Sequence, residues 1–135
     1  MRAYKYIQAA EGTGCILEAE GEYIRVMNID SLPSSLKEKI KENKRIILDA
    51  LYRDNQAKDS GFIIGVPGEL YFCSLNKSRT IYIEQMGERW EVYRETFING
   101  RFSSKNIRLI CVDSSFKHVL LKAKGYVDYW QRVYK

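Results

Sequence analysis

The sequence contains few of the residues from which most catalytic and metal sites are built. Among its 135 residues there is one histidine and there are three cysteines, which lie far apart at Cys15, Cys73 and Cys111. A zinc site needs clustered histidine and cysteine ligands, and this distribution does not supply them. No spacing of carboxylates indicates an acid–base pair. We therefore expect a protein that is not an enzyme and that binds no metal and no cofactor.

The sequence also lacks the features of membrane and secreted proteins. No apolar run approaches the length of a membrane span, and the N-terminal residues have no apolar core of the kind found in signal peptides. The cysteines have apolar neighbours and no Cys-x-x-Cys spacing, which is typical of reduced thiols in a protein core. These absences favour a cytoplasmic protein with no membrane partner.

The chain is basic overall, but its basic residues are not concentrated in one segment. Lysine and arginine number 22 against 17 acidic residues, which gives a net charge of +5, and no five like charges follow one another. A basic balance of this size favours contact with polyanions, but it also keeps many proteins soluble. Composition alone therefore does not decide between these interpretations.

The clearest helical pattern runs over residues 30–54. Ser31 or Ser34 is suited to cap its N-terminus, and Pro33 suits its first turn. Apolar residues recur through it at helical spacing, at Leu36, Ile40, Ile47 and Leu51. A second stripe, formed by Lys37, Lys41 and Lys44, is predicted to face solvent.

A short helix and a β-hairpin are predicted before this long helix. Residues 2–10 suit a helix that ends at the glycines of positions 12 and 14. Residues 15–19 and 23–27 are two β-rich runs around a turn that contains Gly21, which indicates a hairpin. Because a two-stranded hairpin is only marginally stable, it must pack on the helices. Residues 1–55 are thus predicted to form an αββα module.

This module resembles the small N-terminal docking domains of the TubC type, which begin some nonribosomal peptide and polyketide synthase subunits. The resemblance rests on residues 14–17, on residues 23–26, on Leu32–Pro33 and on the apolar pattern of the long helix. It implies a homodimer that captures a short acidic or polar tail of another protein along its exposed hairpin. The contact strand implied by the resemblance contains Tyr23, Arg25 and Met27. Together with the basic helix stripe, the predicted protein-binding residues are Tyr23, Arg25, Met27, Lys37, Lys41 and Lys44.

Residues 54–61 are a polar stretch, which we predict to be a linker. Beyond it, the spacing at which apolar residues recur changes from about 3.6 residues, typical of a helix, to 2 residues, typical of a strand. Strands are predicted at residues 62–66, 69–75, 80–86, 89–98 and 106–112, with a type I′ turn at Asn99–Gly100. A helix over residues 115–134, capped by residues 113–115, should cover one face of this sheet. The predicted fold is therefore α+β, with an αββα docking-like module at residues 1–55 and an antiparallel β-meander covered by a C-terminal helix at residues 60–135.

Aromatic residues provide an alternative to protein binding. Tyr71, Tyr82 and Tyr93 occupy the middle of three predicted strands, and on one open face they would stack nucleic-acid bases, with Arg79 and Arg94 beside them. Tyrosine is also an ordinary strand residue with a half-buried ring and a hydrated hydroxyl. The sequence therefore leaves a basic, tyrosine-rich nucleic-acid-binding sheet as the alternative function.

The remaining candidate residues have weaker patterns. Trp90 and Trp130 are predicted to anchor the core, Trp130 because it continues the apolar stripe of the last helix. A catalytic Cys111–His118 pair, oriented by Asp113, is the third hypothesis. The strand pattern directs Cys111 inward and the helix pattern directs His118 outward, which is unfavourable for such a pair.

The sequence as a whole favours non-catalytic binding of a macromolecule. We expect a protein partner first, with the chain acting as a docking, adaptor or inhibitor module, of the kind that phages and mobile elements encode. Nucleic acid is the alternative partner.

Overall fold

The computed structural model describes residues 2–97 and 106–134 and confirms the predicted α+β class. The helices described are α1 (Ala3–Gly12), α2 (Ser34–Glu42), α3 (Lys44–Asp59) and α4 (Phe116–Val133), with a short 3₁₀ turn at Ile29–Ser31. The strands are β1 (Ile16–Glu20), β2 (Tyr23–Met27), β3 (Ile63–Val66), β4 (Leu70–Ser74), β5 (Arg79–Met86), β6 (Arg89–Thr96) and β7 (Asn106–Asp113). The predicted Asn99–Gly100 turn lies outside the described residues.

The chain divides into two compact units. The first comprises Met1–Gln56 with Val66–Gly68, and the second comprises Ala57–Gly65 with Glu69–Lys135. Each unit has its own apolar core.

The first unit consists of α1, the β1–β2 hairpin, α2 and most of α3. The hairpin is antiparallel, with Ile16 opposite Met27 and Glu20 opposite Tyr23. Its turn is held by the hydroxyl of Tyr52, which donates a hydrogen bond to the carbonyl of Gly21. The core beneath the hairpin contains residues from every one of these elements, among them Tyr6, Ile7, Cys15, Leu17, Ile40, Ile47 and Leu51. This packing supplies the burial that an isolated hairpin lacks.

The predicted long helix is in fact two helices, and that prediction was wrong. The helix is interrupted at Asn43, whose side-chain amide donates to the carbonyl of Lys39 at 2.8 Å. Asparagine side chains compete with the helix for backbone partners in this way. The N-terminus of α2 also differs from the prediction, because Pro33 occupies the cap position and no side chain caps it.

The linker predicted at residues 54–61 was also wrong, because α3 continues to Asp59. Most of the polar residues there lie on this helix, which ends at Asp59 and is closed by a turn at Gly61. Gly61 has a φ of +91°, its N–H donates to the carbonyl of Lys58, and Phe62 donates to Ala57. This pair of bonds is the Schellman arrangement, for which glycine is favoured. The predicted glycine stop of α1 is confirmed by the same arrangement at Gly14.

The second unit is a five-stranded meander in the order β3-β4-β5-β6-β7, with α4 packed on one face. Alternate residues of the central strands face this helix, including Ile81, Ile83 and Val92, which are completely buried. A register shift between Val92 and Tyr93 interrupts the pairing of β6 with β7. The predicted cap of α4 is confirmed, since Ser115 accepts a hydrogen bond from the backbone N–H of His118.

Gly68 offers a test of how tightly the turn at residues 66–68 is held in the first unit. Its N–H donates to the buried carboxylate of Asp54 at 2.7 Å, and its carbonyl accepts from Arg53 at 3.0 Å. A Cβ added at Gly68 would lie 2.5 Å from the Cβ of Ala50, and φ there is +77°. We expect Gly68→Ala to lower the free energy of unfolding by about 3 kcal/mol, the sum of left-handed strain and overpacking. Urea unfolding measures this change.

Gly87→Ala is the matched control for this prediction. Gly87 has a similar φ of +66°, but nothing lies within 4 Å of an added Cβ. Gly87→Ala should therefore lower the free energy of unfolding only through backbone strain, by about 1–2 kcal/mol. Equal losses in the two variants would show that the turn at Gly68 moves away from α3 easily.

Candidate functional site

The first unit contains a groove of about 270 Å³ between β2 and α2. Its lining combines apolar residues with a lysine rim. The residues that line it are Tyr23, Ile24, Val26, Ile29, Leu32, Lys37, Ile40, Lys41 and Lys44. The groove therefore offers an apolar surface beside positive charge.

Local structure explains how these side chains converge. Strand alternation turns Ile24 and Val26 towards the helices, where they remain half-buried. Asn28 takes a left-handed conformation with φ of 63°, so that the chain turns at once into the 3₁₀ segment and places Ile29 in the groove. On α2, Lys37 and Lys41 are one helical turn apart and lie on the same side.

The lysine rim is open to solvent and lightly paired. Lys41 lies 3.8 Å from Glu38, but both side chains are well exposed, so the pair contributes little. The ammonium of Lys44 lies 4.9 Å from the ring centroid of Tyr23, an exposed aromatic at the start of β2. Neither Lys37 nor Lys44 has an ion pair in the part of the chain that the structure describes. The rim therefore retains charge that an acidic ligand would neutralise.

The predicted protein-binding residues are only partly brought together. Tyr23, Lys37, Lys41 and Lys44 all line the groove. Two other predicted residues, Arg25 and Met27, do not line the groove. In the register of the hairpin, Arg25 lies opposite Glu18 and Met27 lies opposite Ile16. Sequence reasoning chose the outward residues of β2 and missed Ile24 and Val26, although their alternation with Tyr23 was visible.

The predicted tyrosine row was wrong in one member. Tyr71 is completely buried on the α4 face of the sheet, with its ring 5.6 Å from that of Phe116. The register places Phe72, rather than Tyr71, opposite Tyr82, which in turn lies opposite Tyr93. The rings of Tyr82 and Tyr93 stack at 5.2 Å, and Phe72 is 6.2 Å from Tyr82. The aromatic row on the outer face is therefore Phe72, Tyr82 and Tyr93.

The predicted arginines do not accompany this aromatic row. Strand alternation places Arg79 with Ile81, and Arg94 with Val92, on the face that α4 covers. The acidic residues Glu84, Glu91 and Glu95 alternate onto the outer face with the tyrosines. An acidic face repels phosphates, so the outer face does not suit the predicted nucleic-acid contact.

Acidic neighbours and burial also affect the two tyrosines. Burial, a hydrogen bond of 2.8 Å donated to Glu84 and the charges of Glu84 and Glu95 raise the pKa of Tyr93 well above its ordinary value. Burial, followed by the charge and hydrogen bonding of Glu95, raises the pKa of Tyr82. Both phenols are therefore held in the neutral form.

The second unit has its arginines and aromatics around a different pocket, of about 370 Å³, beside β7 and the last turns of α4. The residues that line it are Arg94, Arg108, Leu109, Ile110, Tyr126, Tyr129, Trp130 and Tyr134. We call this the arginine–tyrosine pocket. Arg94 donates to the hydroxyl of Tyr126 at 2.9 Å.

The two tryptophans have different surroundings. Trp90 is 5% exposed and packs 4.7 Å from Phe116, which confirms its predicted place in the core. Trp130 is only half-buried and lines the arginine–tyrosine pocket, so its prediction as a core anchor was wrong. Its helical position is apolar in pattern, but it faces the guanidinium groups of Arg79 and Arg94 at the end of the sheet.

The residues of the third hypothesis lie where the strand and helix patterns place them. Cys111 is half-buried on β7, and burial raises the pKa of another thiol, Cys73. His118 is in the first turn of α4, with its Nε2 3.9 Å from a carboxylate oxygen of Asp113 and its side chain 47% exposed.

Within residues 2–97 and 106–134, no group of three or more histidine, cysteine or acidic side chains could hold a metal ion. No helix of these residues is long and apolar enough to cross a bilayer.

Comparison of the chain with protein-family models, with curated proteins and with solved structures gives no match. The resemblance of residues 1–55 to docking domains of the TubC type therefore stays a prediction. The groove and the arginine–tyrosine pocket are the features of the chain that bear on its function.

The tyrosine face makes a prediction about alkaline pH. Because the folded-state pKa of Tyr93 is raised above its ordinary value of 10, the resulting stabilisation is complete below about pH 10 and is lost as pH rises further. At pH 8, Tyr93→Phe should have a free energy of unfolding about 1 kcal/mol below that of the unmodified protein, because the hydrogen bond to Glu84 is missing. Between pH 9 and pH 11, the free energy of unfolding should fall less in Tyr93→Phe than in the unmodified protein. Urea unfolding across this range measures both effects. Parallel stability curves for the two proteins would contradict the assignment.

Proposed function

We propose that the first unit is a docking module that captures an extended, acidic segment of a partner protein in the groove between β2 and α2. The observation that supports this most directly is the combination of an apolar groove with Lys37, Lys41 and Lys44 at its rim. Acidic partner residues would lie against the lysines, while alternate apolar residues would enter the groove. The chain would then act as an adaptor or inhibitor without catalysis.

The hairpin supplies main-chain hydrogen bonds for such a segment. In the two-stranded sheet, β2 pairs with β1 along one edge only. An extended peptide can add to a free strand edge, with backbone bonds providing affinity and alternate side chains providing specificity. The half-buried Ile24 and Val26 present the apolar surface next to that edge.

Apolar contact and charge have different roles in this proposal. Burying one large aliphatic anchor contributes roughly 1.5–3 kcal/mol, so two anchors account for most of the affinity. An exposed charge pair contributes only about 0.2–1 kcal/mol. The lysines therefore select acidic segments and accelerate their association, and this effect weakens as salt is added.

The docking-domain resemblance is consistent with this proposal but is not its basis. That resemblance implied capture of an acidic or polar tail along the hairpin and a homodimer. The groove geometry leads to the acidic segment independently, from the position of the three lysines.

Selection from a library of random peptides of about eight residues, displayed on phage and presented to the full chain, tests the proposal. Enriched peptides should alternate apolar residues with aspartate or glutamate. The double variant Lys37→Glu, Lys41→Glu should bind them at least about tenfold more weakly, as two reversed rim charges against acidic residues imply. Fluorescence anisotropy measures this affinity.

Lys39→Glu is the matched control. Lys39 is an exposed lysine of the same helix that does not line the groove. It should leave peptide affinity within about a factor of two, since only long-range charge changes. Enriched peptides without acidic residues, or an equal loss in Lys39→Glu, would refute the groove as the binding site.

Methylation of the peptide backbone tests strand addition separately. N-methyl groups on alternate residues of an enriched peptide remove the donors on one edge. Methylation along the edge that pairs with β2 should abolish binding, and methylation along the other edge should be tolerated. Equal tolerance of both patterns would show that the segment does not bind as a strand.

A further inference from the structure

Two arginines, Arg94 and Arg108, line the arginine–tyrosine pocket of the second unit, and a third, Arg79, lies against its Trp130. The guanidinium carbons of Arg79 and Arg94 lie 5.3 Å and 5.7 Å from the ring centroid of Trp130. Arg108 lies directly opposite Arg94 in the register of β6 with β7. Like charges placed opposite each other on neighbouring strands destabilise a sheet. Their clustering therefore has a cost that a bound anion would relieve.

Local acidic residues do not relieve this cost. None of Arg79, Arg94 and Arg108 forms an ion pair with a carboxylate in the part of the chain that is described. The nearest acid in sequence, Glu95, alternates onto the opposite face of β6. Arg94 is itself incompletely satisfied, because its Nε is shielded from solvent and has no acceptor.

Aromatic side chains line the pocket beside the cations. The ring of Tyr134 lies 4.3 Å from that of Trp130, and Tyr126 stacks on the same ring at 6.3 Å. Tyr129 and Tyr134 remain 47% and 60% exposed, so ring surface is available to a ligand. The pocket volume of about 370 Å³ is in the size class of pockets for one small ligand, about 300–1,000 Å³.

We propose that the arginine–tyrosine pocket binds a nucleotide unit, that is, a planar base that carries a phosphate. Arg94 and Arg108 would bind the phosphate, for which the planar, forked guanidinium is suited. The base would stack on the exposed rings of Tyr129 and Tyr134. Such a unit occurs both free in solution and within a single-stranded nucleic acid, and the experiment distinguishes these sources. This site belongs to the second unit and is independent of the proposed docking groove.

Titration calorimetry on the full chain tests the proposal with adenosine monophosphate, adenosine and inorganic phosphate as probes. We expect adenosine monophosphate to bind at least about tenfold more tightly than either fragment, because only the nucleotide contacts both the guanidinium groups and the rings. Absence of nucleotide binding would overturn the proposal. Phosphate binding as tightly as the nucleotide would also overturn it, since the rings would then make no contribution.

Two substitutions locate the binding site. Arg108→Gln removes an exposed guanidinium, and Tyr134→Ala removes an exposed ring at the end of α4, so neither disturbs the core. Tyr134→Ala should weaken nucleotide binding at least about fivefold, the lower bound for loss of one stacking contact. Arg108→Gln should weaken it by at least as much, through loss of a charge-assisted hydrogen bond to the phosphate. Arg89→Gln is the matched control, because this exposed arginine of the same sheet pairs with Glu91 and does not line the pocket. A loss in Arg89→Gln equal to that in Arg108→Gln would overturn the proposal.

Fluorescence anisotropy with a labelled oligothymidylate of about twelve nucleotides, at about 50 and 200 mM salt, separates the two sources. Oligonucleotide binding that is tighter than mononucleotide binding, falls steeply with salt and is competed by adenosine monophosphate supports a single-stranded nucleic acid as the source. Mononucleotide binding without oligonucleotide binding supports a free nucleotide. Oligonucleotide binding that neither Arg108→Gln nor Tyr134→Ala weakens would place the single-strand surface elsewhere, and mononucleotide binding that both substitutions weaken would then support a free nucleotide as the source.

Discussion

The organisation of the second unit depends on one constraint, the alternation of side chains across a sheet that α4 covers on a single face. Successive residues of a strand point to opposite faces of the sheet. Burial of Ile81, Ile83 and Val92 therefore fixes the face to which each remaining residue of β5 and β6 points. Arg94 is therefore carried towards α4 together with Val92, and Tyr93 is carried to the outer face together with the glutamates. The separation of arginines from outer tyrosines follows from core packing.

The first unit uses the same constraint on a smaller scale. A hairpin of two strands is only marginally stable alone, so one of its faces must pack on helices. Ile24 and Val26 meet this requirement only in part, because they remain half-buried and line a groove instead of a closed core. The helices that stabilise the hairpin also bring Lys37 and Lys41 to its edge. The side chains that stabilise this unit are thus also the ones that would contact the proposed ligand.

The sequence allowed prediction of the elements and their order, since apolar period and glycine stops are local signals. It could not reveal the break at Asn43, where the side-chain amide and the backbone N–H both donate to the carbonyl of Lys39 while the apolar pattern continues on both sides. It also could not show that Phe72, and not Tyr71, lies opposite Tyr82. Register depends on pairing across strands, and a shift of one residue exchanges the two faces of the sheet. Trp130 shows a third limit: its helical spacing predicts burial, but its position at the end of the sheet leaves it beside guanidinium groups. The lysine rim and Tyr23 were therefore predicted from the sequence, whereas the apolar lining of the groove and the arginine–tyrosine pocket were not.

The two candidate sites are both cationic, but they use different cations in different surroundings. Lysines at the rim of the first unit are compact, hydrated charges on flexible stems, which suit carboxylates at variable positions along an extended segment. Arginines of the second unit are planar and lie against aromatic rings, which favours a ligand that is itself planar and anionic. A general excess of positive charge would produce neither arrangement, since it specifies no partner geometry. The difference in side-chain chemistry thus argues for two distinct ligands, with an acidic peptide segment for the first unit and a nucleotide for the second.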